Sequence, residues 1–266
     1  MEMVVQFLCA RYPRLFTYSA RTGRFWNGVR RLSFDTRRLE PLRFLLENVP
    51  EDFAVMLEDK ATGHYHLRAG VVLSAIGWNM GTKMGKALHE IHTPVPDYTK
   101  IGGSVDRYFA NVACDKPIQR GSWGLEVGQP LYLQPGDAEW ATRAAQDPAL
   151  RLADVHLRVD WQTLRRLPRS RAVVFNFKAL FTPLEDLRRE PRVPRLLATV
   201  LREGPPAILE YKGTHHTLHV ALPALDAWAE EQEEKGRVPR GWKARTLDEN
   251  PFYPGWEQGL ESKCYS

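Results

Sequence analysis

The sequence predicts an α+β fold: an antiparallel sheet with helices grouped around it. Three observations carry this. Strand-like runs rich in alternating and β-branched residues recur at 65–76, 117–133, 155–159 and 171–181. Helix-like runs gather between and after them, without the strict βαβ alternation that a parallel sheet needs. The chain has 266 residues, 43% hydrophobic and 26% charged, which suits a single domain over 1–266 with one sizeable core.

Taken in order, residues 3–9 form a short helix, which Pro13 ends by disfavouring helical geometry at Tyr12. Residues 42–46 make a helical turn and 53–58 another short element. Ala61, Thr62 and Gly63 form a turn before the strand or hairpin at 65–76. A glycine-bearing loop covers 77–85. A helical segment at 86–91 is stopped by Pro94 and Pro96. Val105, Tyr108, Phe109 and Val112 share one helical face. The β region at 117–133 is expected to break at Gly121 and Gly124, and 135–150 to be a polar surface connection. A strand at 155–159 is followed by a connector at 162–167 and a strand at 171–181. Helices occupy 193–202, 206–211 and 224–235, and the tail from Gly236 wraps the surface.

Composition removes several classes of function. No apolar run approaches the roughly 20 residues of a membrane span, and mean hydropathy is −0.41. The start, MEMVVQFLCARYPRLF, lacks a long apolar stretch and a small-residue cleavage site, so no secretory leader is expected. Lys plus Arg is 37 and Asp plus Glu is 32, a net charge of +5. That excess permits an acidic partner without demanding nucleic acid. The three cysteines, Cys9, Cys114 and Cys264, form no CxxC, so no zinc knuckle or redox pair is expected. A reducing, cytoplasmic setting follows, with neither nucleic acid nor membrane as partner.

Candidate chemistry is sparse. Gly77, Gly81 and Gly85 match neither a P-loop nor GxGxxG, and read as loop glycines. His89 and His92, three apart, are either a metal or haem pair or simply one exposed and one helix-end histidine. His215, His216 and His219 form a second cluster. On a strand His215 and His219 would share a face, with Glu210 the nearby carboxylate for a metal-dependent hydrolase; the bland reading is a structural one. LRRLPRSR, residues 164–171, is arginine-dense, but no interleaved aromatics support nucleic-acid stacking. No GxSxG is present.

Three longer segments carry a resemblance. They are LRAGVVLSAIGWNMGTKMGKALHEIHTPVPDYTKIGGSVDR at 67–107, PIQRGSWGLEV at 117–127 and DVHLRVDWQTLRRLPRSRAVVFNFKALF at 154–181. With IHTPVP at 91–96, QTLRRLPRS at 162–170 and EYKG at 210–213, the sequence resembles the haem-dependent oxidative N-demethylase alpha-subunit family, fungal members in particular. That resemblance implies a PAS-like antiparallel sheet whose helices enclose a haem. It implies a haem-dependent oxidoreductase, of oxidase or monooxygenase type, acting on a small organic substrate, with electrons from a separate flavin or iron–sulfur redox partner. It makes His92 the proximal ligand of the haem iron. Arg107, Arg165 and Arg166 become candidates for the propionates, since guanidinium matches a carboxylate bidentately. Trp123 becomes a lining residue of the cavity, while Asp106 is equally placed to hold Arg107. The sequence departs from the family at Ser74-Ala75-Ile76, Ser122, Asp160-Trp161 and Lys178-Ala179-Leu180. These substitutions point away from a simple amine, toward oxidation of a specialised metabolite; the alternative is a non-catalytic PAS-like binder of haem or another small ligand.

Overall fold

The structure, a computed structural model, describes residues 1–244. It opens with α1 (Glu2–Arg11), which ends at Tyr12 as the following proline requires. Three short strands come next, β1 (Phe16–Ser19), β2 (Arg24–Asn27) and β3 (Leu32–Asp35), paired as an antiparallel meander. α2 (Pro41–Asn48) begins on a proline preset for the first turn, and the Glu40 carboxylate accepts the Arg43 N–H at 2.8 Å.

The central sheet is built from β4 (Asp52–Glu58), β5 (Tyr65–Val71), β7 (Ile118–Val127), β9 (Val155–Arg166) and β10 (Val173–Pro183). Its order is β5-β4-β10-β9-β7, antiparallel throughout. Between β5 and β7 lie a two-residue strand β6 (Ala75–Ile76) and helices α3 (Leu88–Ile91) and α4 (Tyr98–Asn111). β8 (Tyr132–Leu133) pairs in parallel with β6. After β10 come α5 (Val193–Glu203), α6 (Pro206–Lys212) and α7 (Leu218–Glu234). The α+β expectation holds.

Two expectations within the sheet are corrected. Residues 162–167 are no connector: Gln162 to Arg166 complete β9 and pair in register with β10, and Gln162 to Leu164 with β7 as well. β7 runs straight through Gly121 and Gly124. A Cβ at those positions would lie 3.7 Å from Val159 and 3.9 Å from Thr214, ordinary contacts, so the glycines leave the ladder unbroken. The wrapping expected of the tail from Gly236 falls mostly on residues 245–266, which lie outside the described residues.

Side-chain alternation divides the sheet into two faces. One carries Tyr65, Leu67, Ala54, Met56, Val173 and Leu164, packed under Leu88 of α3 and Phe109 of α4. The other carries Phe53 and Val174, which share a core with Val5, Phe16, Phe25 and Phe44 of the N-terminal segment. On that same face, Leu125 and Val155 meet Leu197, Leu201 and Leu225 of α5 and α7. Each fully buried Leu, Phe or Val contributes roughly 1.5–3 kcal/mol relative to exposure. The sheet is therefore covered on both faces, and its α3–α4 face is the one that positions the site. Among the described residues no helix is long and apolar enough to cross a membrane.

Candidate functional site

The site starts from a helix of one turn. α3 is tied at both ends. The Glu90 carboxylate accepts the Ala87 N–H at 2.7 Å, and Lys83 Nζ donates to the Ile91 carbonyl at 3.0 Å. Thr93 Oγ1 donates to the Glu90 carbonyl at 3.0 Å, and the prolines at 94 and 96 prevent continuation. Lys83 also lies over the Trp78 ring, 5.4 Å from its centroid, and burial lowers its pKa. A cation at a helix C-terminus opposes the partial charge of the unsatisfied carbonyls.

His92 is the residue that caps this helix. Its Nδ1 lies 2.7 Å from the Leu88 carbonyl oxygen. A carbonyl only accepts, so Nδ1 carries the proton and Nε2 keeps its lone pair in the neutral ring. Burial lowers the His92 pKa most. The Leu88 hydrogen bond opposes that shift, while the positive charges of Lys83 and Arg120 add to it. The ring lies face to face on Tyr98, with centroids 4.8 Å apart and planes 6° from parallel. Sequence and packing together thus present a neutral imidazole, fixed in tautomer and in plane.

The sheet beneath supplies the surroundings. By register Arg120, Gln162, Phe175 and Phe177 share the α3–α4 face. Arg120 Nε donates to Gln162 Oε1 at 2.6 Å, and the guanidinium lies over Phe175 at 5.7 Å. Phe175 stacks on Phe177 at 5.0 Å, and Trp78 meets Phe177 at 6.3 Å. The hydroxyls of Tyr98 and Tyr108 are buried without a hydrogen-bond partner among the described residues. An unpartnered buried hydroxyl costs about 1–3 kcal/mol, so two of them mark places suited to a further polar group. A cleft of about 630 Å³, lined by Trp78, Lys83, Ile91 and Gln134, opens alongside α3. A fixed neutral imidazole, flat aromatic walls, unpartnered hydroxyls and an arginine fit a haem, whose iron takes a nitrogen ligand and whose propionates take a cation.

Of the five cofactor-binding residues expected from the sequence, the structure brings only His92 to this place. Arg166 lies on the right face but is 1% exposed, and its guanidinium is spent on the protein. It donates to the carbonyls of Val112 at 2.7 Å and Arg171 at 2.9 Å, to Tyr65 Oη at 3.0 Å, and to the Phe109 carbonyl. It ties β9 to the end of α4, and its burial closes it off from a propionate. Arg165, one residue earlier, points from the opposite face and is exposed. Trp123 is also on the opposite face. It packs beside Leu125 against the α5–α7 cluster, with Lys212 Nζ 5.6 Å from its ring centroid, on the face of the sheet away from His92. Arg107 stands exposed on α4 and donates to Ser104 Oγ at 3.0 Å. Asp106 faces His64 at 3.6 Å and does not hold Arg107.

The other histidines singled out from the sequence lie elsewhere. His89 is exposed, edge-on to His64 at 5.2 Å. His215 and His216 sit in a 3-10 turn that leads into α7, where His219 lies, and not on a strand. Among the described residues no group of three His, Cys, Asp or Glu is placed to hold a metal ion. His216 is buried, with Nδ1 3.0 Å from the Gly213 carbonyl oxygen. Burial first, then the charge of Arg143, lowers its pKa to about 4. The unfolded chain therefore binds this proton before the folded one does. Stability present above about pH 6.5 is expected to fall by roughly 3 kcal/mol as pH drops to about 4. Urea midpoints measured between pH 7 and pH 4.5 check this, and His216→Gln should flatten the slope; an equal slope in the variant assigns it elsewhere.

Sequence reasoning misses Arg120, Tyr98 and Lys83. A signal for Arg120 exists: once 118–127 is one unbroken strand, alternation puts Arg120 and Trp123 on opposite faces. Over residues 1–222 the chain matches the family model described as haem-dependent oxidative N-demethylase, alpha subunit-like. That match spans the N-terminal meander, the whole sheet, α3 with His92, and the start of α7. The chain belongs to this haem-dependent family.

Proposed function

We propose that the protein is a haem-dependent oxidoreductase in which His92 is the proximal iron ligand. The observation that carries this is the His92 imidazole, neutral and tautomer-fixed, stacked on Tyr98, with no hydrogen bond to Nε2 among the described residues. When bound, haem supplies oxygen activation and electron storage. The chain's own residues do the rest. The Leu88 carbonyl and the Tyr98 ring hold the imidazole in one orientation, which a ligand of the iron would need. Phe175, Phe177 and Trp78 exclude water from the sheet side. The family description supports oxidative N-demethylation as the reaction class, and its "alpha subunit-like" wording supports a separate redox partner, flavin or iron–sulfur. The departures at Ser122, Asp160 and Trp161 favour a substrate other than a simple amine, with specialised-metabolite oxidation as the narrower reading. Trp161, though, lies exposed on the far face, whereas Ser122, Asp160 and Ala179 share the α3–α4 face by register.

The sheet order supports the PAS-like reading. The last strand, β10, lies between the first and the fourth, and the helices over the sheet are inserted between the second and third. Cores shared between the sheet, the N-terminal segment and the C-terminal helices support one domain. Cys9 and Cys114 are free thiols, in keeping with a reducing, cytoplasmic setting.

Titrating the purified protein with ferric haem tests the proposal. A saturable Soret band at one haem per chain, shifting on dithionite reduction, is expected. No band at stoichiometric haem overturns it. Oxygen-dependent turnover then separates an enzyme from the non-catalytic binder.

A further inference from the structure

We infer that Arg120, Gln162 and Tyr108 form a carboxylate-receiving site on the sheet floor beside His92. Arg120 is the centre of it. Gln162 holds its Nε, and Phe175 lies under the guanidinium plane. Both contacts fix the fork and leave the two Nη nitrogens, the pair a carboxylate meets bidentately. The side chain stays open to solvent, as a receiving site must be. Tyr108 lies within electrostatic reach of Arg120, and its buried hydroxyl lacks a partner among the described residues.

The charge of Arg120 is uncompensated where it stands. The surrounding protein partly desolvates it and lowers its pKa; among the described residues Tyr108 opposes this shift and no carboxylate contributes. Asp160, one step along the same face of β9, is already held by Arg158 at 3.0 Å. A cation with an oriented fork, a partly desolvated setting and a neighbouring unpartnered hydroxyl matches an incoming carboxylate. That chemistry has two sources, a haem propionate or the carboxylate of a substrate. The site depends on the haem reading only for which of the two is bound.

The experiment compares the full-length native protein with Arg120→Met and Gln162→Glu. The second variant keeps the arginine but neutralises it from within. Each is titrated with ferric haem, with the haem dimethyl ester, and with benzoate followed by NMR on the haem-free protein. If propionate is the ligand, the native protein prefers the free acid over the ester by roughly ten- to a hundredfold, and both variants lose the preference. If a substrate carboxylate is the ligand, the preference survives in the variants while benzoate binds only the native protein. Haem binding without discrimination, and without benzoate binding, overturns the site. Failure to bind haem at all sinks the haem reading, and the benzoate arm still decides this one: binding by the native protein alone supports the site, and its absence or persistence in both variants overturns it.

Discussion

His92→Gly is expected to weaken haem binding by roughly a hundredfold or more, and added imidazole should restore both affinity and spectrum. The magnitude is set by comparison with outer-shell partners of metal ligands, whose loss alone costs about 10- to 100-fold. Rescue follows from geometry. The variant removes the ring but keeps the Leu88 carbonyl and the Tyr98 face, the two contacts that orient it. Free imidazole can donate one N–H to that carbonyl, stack on that ring and present its other nitrogen as His92 does. Spectral titration of the variant with and without imidazole checks this. An unchanged affinity and Soret position in His92→Gly would move the ligand elsewhere, and His89 would be the next to replace.

The second large effect is on stability. Arg166→Met is expected to cost about 3–5 kcal/mol, because it strips one buried donor group from five acceptors at once. Folded domains have about 5–15 kcal/mol in total, so the variant should sit near its unfolding threshold at 25 °C. Met fills much of the volume, so the loss isolates hydrogen bonding to the carbonyls of Val112, Arg171, Phe109 and Ala110. Arg166→Lys should recover little, since one ammonium cannot reach the separate acceptors that Nε, Nη1 and Nη2 meet around the edge of the guanidinium. Urea unfolding of the two variants decides it. A loss under about 1 kcal/mol in Arg166→Met would show that these contacts are not structural.

Much of the architecture can be read from periodicity. The face of α4 formed by Val105, Tyr108, Phe109 and Val112 packs as helical spacing predicts. The meander is hidden because each of its strands has four residues, and two repeats of an alternation do not stand out from background. The second half of β9 is hidden for another reason. Gln162, Thr163, Arg165 and Arg166 read as polar connector, yet neighbouring strands hydrogen-bond this backbone, and its buried arginine looks like an exposed one in sequence. The site divides along the same line. The place of His92 at the end of α3 is legible because the prolines that follow fix that helix end locally. The faces of Arg165 and Arg166 are hidden because only strand register tells which face a residue takes, and the polar run at 162–166 does not announce itself as the strand that pairs with β10. Arg165 and Arg166 differ by one residue and by the whole thickness of the sheet.

The order of the strands also constrains how the protein is made. β4 and β5 pair with each other early in the chain, and β7 and β9 pair with each other well after them. Only β10 touches both pairs, and it ends at Pro183. Until that strand leaves the ribosome, two half-sheets carry open edges, and the apolar face meant for α3 and α4 stays incomplete. The slow, long-range closing step is the insertion of β10 between them, which makes the nascent chain most prone to edge-to-edge association just before this last sheet strand is complete.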